Sequence, residues 1–103
     1  MDRLAMLKDV LRENPNDAFA RYGLAMEYAK SGNIETALDE FKKIIIANPD
    51  YTPAYQMAGQ TLVTAGRLEE ARKMFEGGIQ SAQRAGNQHA ADEMQGMLDE
   101  LPV

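Results

Sequence analysis

The stretch DAFARYGLAMEYAKSGNIETALDEFKKIIIANPD, residues 17–50, decides the fold, because the next 34 residues repeat its pattern. Small and bulky residues recur in phase over the whole period, which favours an internal duplication over chance. Repeats of this length usually stack, because one unit alone cannot bury its apolar face. The matched pairs at a spacing of 34 include Asn14-Pro15 with Asn48-Pro49, Gly32 with Gly66, Ala37 with Ala71, Phe41 with Phe75, and Ile45 with Ile79.

The first repeat is predicted to contain two helices. Apolar residues cover most of the surface of a helix over 17–31, as expected for a helix packed between neighbours. Gly32 can adopt the left-handed conformation that ends this helix, and Asn33 can cap the next one. Apolar residues then follow one face over 34–47, leaving Ile46 exposed, and the Asn-Pro pair that follows ends the second helix.

The second repeat is predicted to follow the same plan. A helix over 51–65 is expected to start at a cap formed by Asp50 or Thr52, and a second helix covers 68–85. The glycine pair Gly77-Gly78 lies inside this second helix, where it is expected to permit close approach of a neighbouring helix. The next Gly-Asn turn comes late, so the second helix of this repeat is expected to be longer by about a turn.

The two ends are expected to complete a stack of six antiparallel helices. Residues 1–14 have the pattern of a second helix without its first, and residues 87–101 that of a capping helix. With 103 residues, the chain is long enough for one domain. The expected organisation is therefore a single all-α domain over 1–103, divided into a half-repeat at 1–14, repeats at 17–50 and 51–85, and a capping helix at 87–101.

Composition excludes several classes of function. The net charge of −5 provides no basic face for nucleic acid, and no apolar run is long enough to cross a membrane. With no Cys and a single His, thiolate chemistry and multi-histidine metal sites are excluded. A cytoplasmic protein is the default expectation. Residues 85–103 hold four acidic residues and no Lys or Arg, which indicates either a solubilising end helix or a surface for a basic partner.

The repeat resembles the tetratricopeptide repeat, whose 34 positions alternate small and large residues. The Trp common early in that motif is absent, with Arg21 and Tyr55 in its place, and Gln83 replaces the closing Pro of the second copy. The resemblance implies a short right-handed superhelix of helix-turn-helix repeats, with an ending similar to that of many bacterial repeats of this type. The motif positions are Leu24-Ala25, Tyr28, Gly32, Ala37, Phe41 and Pro49, then Ala58-Gly59, Leu62, Gly66, Ala71 and Phe75.

The same resemblance implies a concave groove lined by the first helix of each repeat. The Lys, Asn and Arg that hold a C-terminal carboxylate in some family members are missing here, because Tyr22, Met26 and Met57 take their places. The groove positions in the two repeats are Phe19, Tyr22, Met26 and Ala29, then Pro53, Gln56, Gln60 and Val63. For the last helix two registers are open: Asn87, Ala90, Met94 and Met97, or His89, Asp92, Gly96 and Asp99.

Protein–protein interaction is the function that the resemblance implies, with a peptide or helix of a partner bound in the groove. The alternative is a homodimer formed through the exposed face of the first helix, with Leu4, Met6, Leu7 and Val10 as candidates. No enzyme activity, cofactor or metal is predicted. His89 with Asp92 and Glu93 has a spacing that could hold a metal, but a solvated helix face is favoured. Glu27, inside an apolar helix, is expected to pair with Arg21 or Lys30.

Overall fold

The computed structural model describes residues 2–102, and all the regular secondary structure in this range is helical. Six helices follow one another, separated by short turns, as the sequence predicts. Their bounds are α1 Arg3–Glu13, α2 Ala18–Lys30, α3 Ile34–Ala47, α4 Thr52–Thr64, α5 Leu68–Arg84 and α6 Gln88–Asp99. None of these helices is long and apolar enough to span a bilayer.

Three glycines end helices by adopting positive φ angles: 82° at Gly32, 76° at Gly66 and 70° at Gly86. Only glycine populates this region at low cost, so the recurring glycine marks the recurring turn. The helix starts are less uniform. Asp17 caps α2 by accepting a hydrogen bond from the backbone N–H of Ala20 at 3.0 Å.

Two predicted caps are wrong. Asn33 occupies the cap position of α3, but its side chain forms no capping hydrogen bond. Its backbone N–H instead donates to the carbonyl oxygen of Tyr28 at 2.9 Å, which closes the preceding turn. At α4 the cap position is Tyr51, and neither Asp50 nor Thr52 caps this helix with its side chain.

The helices pack mainly against their neighbours along the chain. The pairs α2–α3 and α4–α5 form the two antiparallel hairpins, α1 packs on α2, and α6 packs on α5. One core runs through both repeats, and a smaller cluster joins α1 to α2. Fully buried large side chains of the main core are Phe41, Phe75, Leu38, Leu62 and Met94.

Glycines allow the helices of the second repeat to pack closely. A Cβ atom built on Gly78 would lie 2.7 Å from Cβ of Tyr55 and 2.4 Å from Sδ of Met94. A Cβ atom on Gly77 would also meet the Tyr55 ring, at 3.2 Å. The expectation that this pair permits close helix approach is confirmed, since α4 and α6 both contact α5 at these positions.

The second helix of repeat two has 17 residues, against 14 in its counterpart α3. The expected lengthening is therefore confirmed. It displaces α6 along the sequence, so that the buried residues Ala91 and Met94 stand 36 residues after the buried residues Tyr55 and Ala58. The core contacts of the last helix thus follow a spacing two residues longer than the repeat.

Ion pairs connect α2 to the helices that precede and follow it. Arg21, at the position of the missing Trp, pairs with Glu40 of α3 at 2.6 Å. Glu27 does not pair with Arg21 or Lys30 as expected, but with Arg3 of α1 at 2.9 Å. That expectation considered only partners close in sequence and on the same helix, whereas α1 packs against this face of α2.

Candidate protein-binding groove

The first helices of the repeats, α2 and α4, and the last helix α6 line one side of the molecule together. Between them lies a cavity of about 190 Å³, to which each of the three helices or its N-terminal cap contributes. Helix α4 forms the floor, and α2 and α6 flank it. The lining residues are Tyr22 from α2, Thr52, Pro53, Gln56 and Met57 from α4, and Asn87 and Ala90 at the start of α6.

A second and larger cavity of about 570 Å³ continues along α4 and α6 toward their C-terminal ends. Gln60 lies at its boundary, one helical turn after Gln56, with its side-chain amide 3.6 Å from Sδ of Met97. Both cavities lie along α4 and α6, and their lining residues together are here called the concave groove. The larger cavity is lined mainly by apolar groups of Val63, Leu68, Phe75, Met97, Leu101 and Pro102, with Gln60, Thr64 and Glu100.

Tyr22 lies at the junction between the groove and the core. Its ring packs edge to face on Phe41 and on Tyr51, with centroid distances of 6.0 Å in both pairs. Burial raises the pKa of the Tyr22 phenol above its ordinary value, and the neighbouring Tyr51 adds to the effect. The Tyr22 ring therefore supports the fold at one edge and faces the cavity at another.

Other predicted groove residues differ in their exposure. Phe19 is 76% exposed on the first turn of α2, and Val63 is exposed near the end of α4. Met26 is partly buried against the main core. Of the residues predicted from the resemblance, the structure brings Tyr22, Pro53 and Gln56 together in one cavity and Gln60 and Val63 in the other. Phe19 and Met26 line neither cavity.

The structure shows which residues in and around α6 border the groove. Asn87, Ala90 and Met97 border the groove, as in the predicted set that continues the 34-residue period, although the buried residues of α6 follow the spacing that is longer by two. Met94 of that set is fully buried beneath Gly78, so it is a core residue and not a groove residue. In the other set, Asp99 lines a separate depression with Glu69 and Arg72. Glu100 and Pro102 also border the groove but belong to neither predicted set, because both follow the last groove position in each set.

Among the residues that line the two groove cavities, the charged one is Glu100, the C-cap residue of α6, which borders the larger cavity. Glu93 lies on α6 with its carboxylate 2.9 Å from Nε2 of His89. Asp92 instead accepts a hydrogen bond from Gln88 at 2.8 Å, so it does not join that pair. Within residues 2–102, no group of three or more His, Asp or Glu side chains is arranged to hold a metal ion.

The residues predicted for a dimer face do not share one exposed surface. Leu4 and Leu7 are partly buried against the cluster that joins α1 to α2, and the side chain of Leu7 lies beside Gly23. Val10 is exposed, and so is Met6. The exposed apolar side of α1 is therefore formed by Met6 and Val10 alone.

Comparison with known proteins matches this architecture. The family model described as tetratricopeptide repeat matches residues 4–58 and, in an overlapping copy, 28–91. A TPR repeat-containing protein of Pseudomonas aeruginosa is 28% identical over 95 residues, which cover 92% of this chain and 90% of the relative. A tetratricopeptide repeat domain protein of Salinibacter ruber, solved by NMR, superposes with a TM-score of 0.77 at 32% identity. That match covers 82% of this chain and 86% of the other.

A solution structure of a Bordetella parapertussis protein has a TM-score of 0.82 at 26% identity, over 96% of this chain and 86% of that one. Stacked helical hairpins with a groove lined by their first helices define the class of helical-repeat interaction modules. Within that class, the chain belongs to the tetratricopeptide repeat family, since the family model covers most of its length.

Proposed function

We propose that this protein binds a peptide or an amphipathic helix of a partner protein in the concave groove, without catalysing a reaction. The observation that carries the proposal is the pair of cavities along α4 and α6, one at Tyr22 and Gln56 and the other at Val63 and Met97, which are largely uncharged and open to solvent. Apolar and amide side chains along a groove suit the apolar face of a bound helix, and Met adapts to different partner shapes.

A further cavity, of about 580 Å³ and outside the concave groove, lies between the start of α2 and the end of α3 and is less suited to binding a partner. Its charged residues Arg21 and Lys43 are both engaged by Glu40, at 2.6 and 3.1 Å. A ligand there would have to compete with an ion pair that already joins the two helices. Binding in the concave groove does not require competition with that ion pair.

Charge indicates which partners fit the groove. Glu100, the C-cap residue of α6, lines the larger cavity, and Glu93 lies on α6. Both belong to the segment 85–103, which has no Lys or Arg. Fixed acidic groups beside an apolar surface favour a partner that carries basic residues next to its apolar face, and they increase its rate of association at low salt. We infer that the bound segment is an amphipathic helix with Lys or Arg along one edge.

The proposal is tested by titrating the isotope-labelled protein with two synthetic peptides of the same length and apolar pattern. One carries Lys on its polar face and the other carries Glu. We expect the Lys peptide to shift the amide resonances of α4 and α6, and its binding to weaken as salt is added. The Glu peptide should bind at least about tenfold more weakly, because it meets like charges.

Two variants make this experiment specific. Val63→Gln removes an apolar contact inside the groove without adding a charge, so it should weaken binding of the Lys peptide. Ile46→Gln alters a residue of α3 that is exposed and lies outside both groove cavities, and it is the matched control. Equal loss with both variants, or shifts confined to α1 and α3, would refute groove binding.

A further inference from the structure

The outward side of α1 exposes two large apolar side chains. Met6 is 54% exposed and Val10 is 43% exposed. The other side of the same helix packs on α2 through Leu4, Leu7 and Leu11. The apolar pair therefore contributes nothing to the packing of α1 on its neighbour.

The internal repeat shows how the same face is treated elsewhere in the chain. The residues 34 positions after Met6 and Val10 are Glu40 and Ile44, which are only 6% and 2% exposed. They are covered by α2, whose Arg21 pairs with Glu40. Within residues 2–102 no helix stands in the corresponding place beside α1.

The opposite end of the stack is polar, in contrast. The outer face of α6 presents Gln88, Asp92 and Gln95, all exposed. Stable stacks of repeats need polar outer faces at their ends to remain soluble. An end face that combines Met6 and Val10 departs from this rule and indicates a covered surface.

The arrangement of residues along α1 is complementary to itself. Met6 and Val10 are equally far from residue 8, and so are Arg3 and Glu13. If two copies of α1 pack antiparallel across a two-fold axis near residue 8, Met6 of one copy lies opposite Val10 of the other. The same axis places Arg3 opposite Glu13 at both ends, which is the reciprocity that a two-fold interface requires.

We propose that a second copy of this chain covers the face of Met6 and Val10, with the two α1 helices antiparallel. Both flanking charges are available for this contact. Arg3 uses Nε to bind Glu27, and its side chain is otherwise largely exposed, with further donors on its guanidinium group. Glu13 is exposed and forms no ion pair within residues 2–102.

Two other arrangements fit less well. A parallel pair of α1 helices would bring Arg3 beside Arg3 and Glu13 beside Glu13, so that like charges meet at both ends. Packing of α1 against α6 of another copy would join an apolar face to a polar one. That contact would also be head to tail, and it would produce open chains instead of a closed dimer.

The interface is small, because each copy contributes two apolar side chains and one pair of charges. Interfaces well below about 1,200 Å² are typical of transient complexes. The dimer is therefore expected at high protein concentration and in rapid exchange with the monomer. It is independent of the concave groove, so it can fail or succeed separately from the proposed groove function.

Sedimentation over a wide range of protein concentrations tests the proposal. The range should reach about 1 mM, because weak complexes have dissociation constants of this order. The unmodified chain should show a monomer–dimer equilibrium. Glu13→Arg should weaken it at least about tenfold, because the repulsion acts twice across the axis. Adding Arg3→Glu and Glu27→Gln to that variant should restore it, because the charges are exchanged without placing the new carboxylate beside Glu27. Ile46→Glu should leave the equilibrium unchanged. Circular dichroism should show that each variant is folded.

The orientation is tested separately by cross-linking, which the absence of native Cys makes clean. In an equimolar mixture of Met6→Cys and Val10→Cys, a short bismaleimide should join unlike chains in preference to like chains. Preferential joining of like chains would overturn the antiparallel arrangement. A monomer at every concentration, assemblies larger than a dimer, or a dimer insensitive to Glu13→Arg would overturn the proposal.

Discussion

The ring of Phe75 packs directly against the backbone of Gly59, where a Cβ atom would lie 2.4 Å from Cε1 of the ring. Both residues are buried, and they join α4 to α5 within the second repeat. Gly59→Ala should therefore destabilise the protein by about 2 kcal/mol, because the ring must move within a packed core. Chemical denaturation measures the difference.

Gly96→Ala is the matched control for this substitution. Gly96 lies in α6, and a Cβ atom there would meet nothing within 4 Å. Alanine should therefore stabilise the protein by up to about 1 kcal/mol through its higher helix propensity. A similar effect of both substitutions would contradict the packing argument.

The ion pair between Arg21 and Glu40 should affect the free energy of unfolding mainly when one partner is removed, because the other charge then stays behind in the folded protein. Arg21→Met leaves the buried Glu40 carboxylate with Lys43 at 3.1 Å as its remaining ionic partner. We expect a loss of about 2 kcal/mol, below the ~3–5 kcal/mol for a fully buried pair, because Lys43 still neutralises the charge. Thermal unfolding of the single variants and of Arg21→Met/Glu40→Met measures this. The double variant should recover much of the loss, and strictly additive losses would contradict the coupling.

Tyr22 and Val63 should separate stability from binding. Because Tyr22 packs on Phe41 and Tyr51, Tyr22→Ala should reduce the free energy of unfolding by about 2–3 kcal/mol. Val63→Ala removes an exposed side chain, so it should change stability by less than about 0.5 kcal/mol while weakening binding of the Lys peptide. Denaturation and peptide titration are compared for each variant. Equal destabilisation by both would show that the groove surface and the core are not distinct.

The contact between Arg67 and Glu70 predicts a dependence of stability on pH. The hydrogen bond from the Arg67 guanidinium holds the pKa of the Glu70 carboxyl below its ordinary value of 4.5. A carboxyl whose pKa is lower in the folded state stabilises the protein above its ordinary pKa, and this stabilisation is lost as pH falls through the lowered value.

The difference in stability between the unmodified chain and Glu70→Gln should therefore be present at neutral pH and be lost as the pH falls from the ordinary pKa of 4.5 through the lowered one. The effect should be small and sensitive to salt, because these groups are exposed. Urea denaturation at several pH values measures it. A difference that grows as the pH falls would have the wrong sign for this explanation.

Most of the fold could be predicted from residues whose role is local or repeated. Gly32 and Gly66 mark the turns, Pro49 marks the end of a helix, and the spacing of Phe41 and Phe75 marks the period. These signals act within one turn or one repeat, so they are visible without knowledge of neighbours. The extra length of α5 is also visible, because Gln83 stands where Pro49 ends the counterpart helix, and the next turn comes only at Gly86.

Side-chain partners were harder to predict, since they depend on which helices lie side by side. Glu27 was expected to pair within its own helix, but α1 provides Arg3. Met94 was assigned to the groove in one register, although the additional residues of α5 place it under Gly78. In each case periodicity identifies a helical face, and the rotation of that helix against its neighbour decides what the face contacts.

Because the helices contact mainly their neighbours along the chain, the stack resembles a one-dimensional array in which local openings need not spread. A helix lying in the concave groove would touch elements from α2 to α6 at once, including pairs that hardly meet in the free protein. Such a ligand would connect helices that otherwise open independently. With the ligand bound, the backbone amides of the outer helices would exchange with solvent in the same opening event as those of the central helices. Unfolding that is sequential in the free protein would then become cooperative.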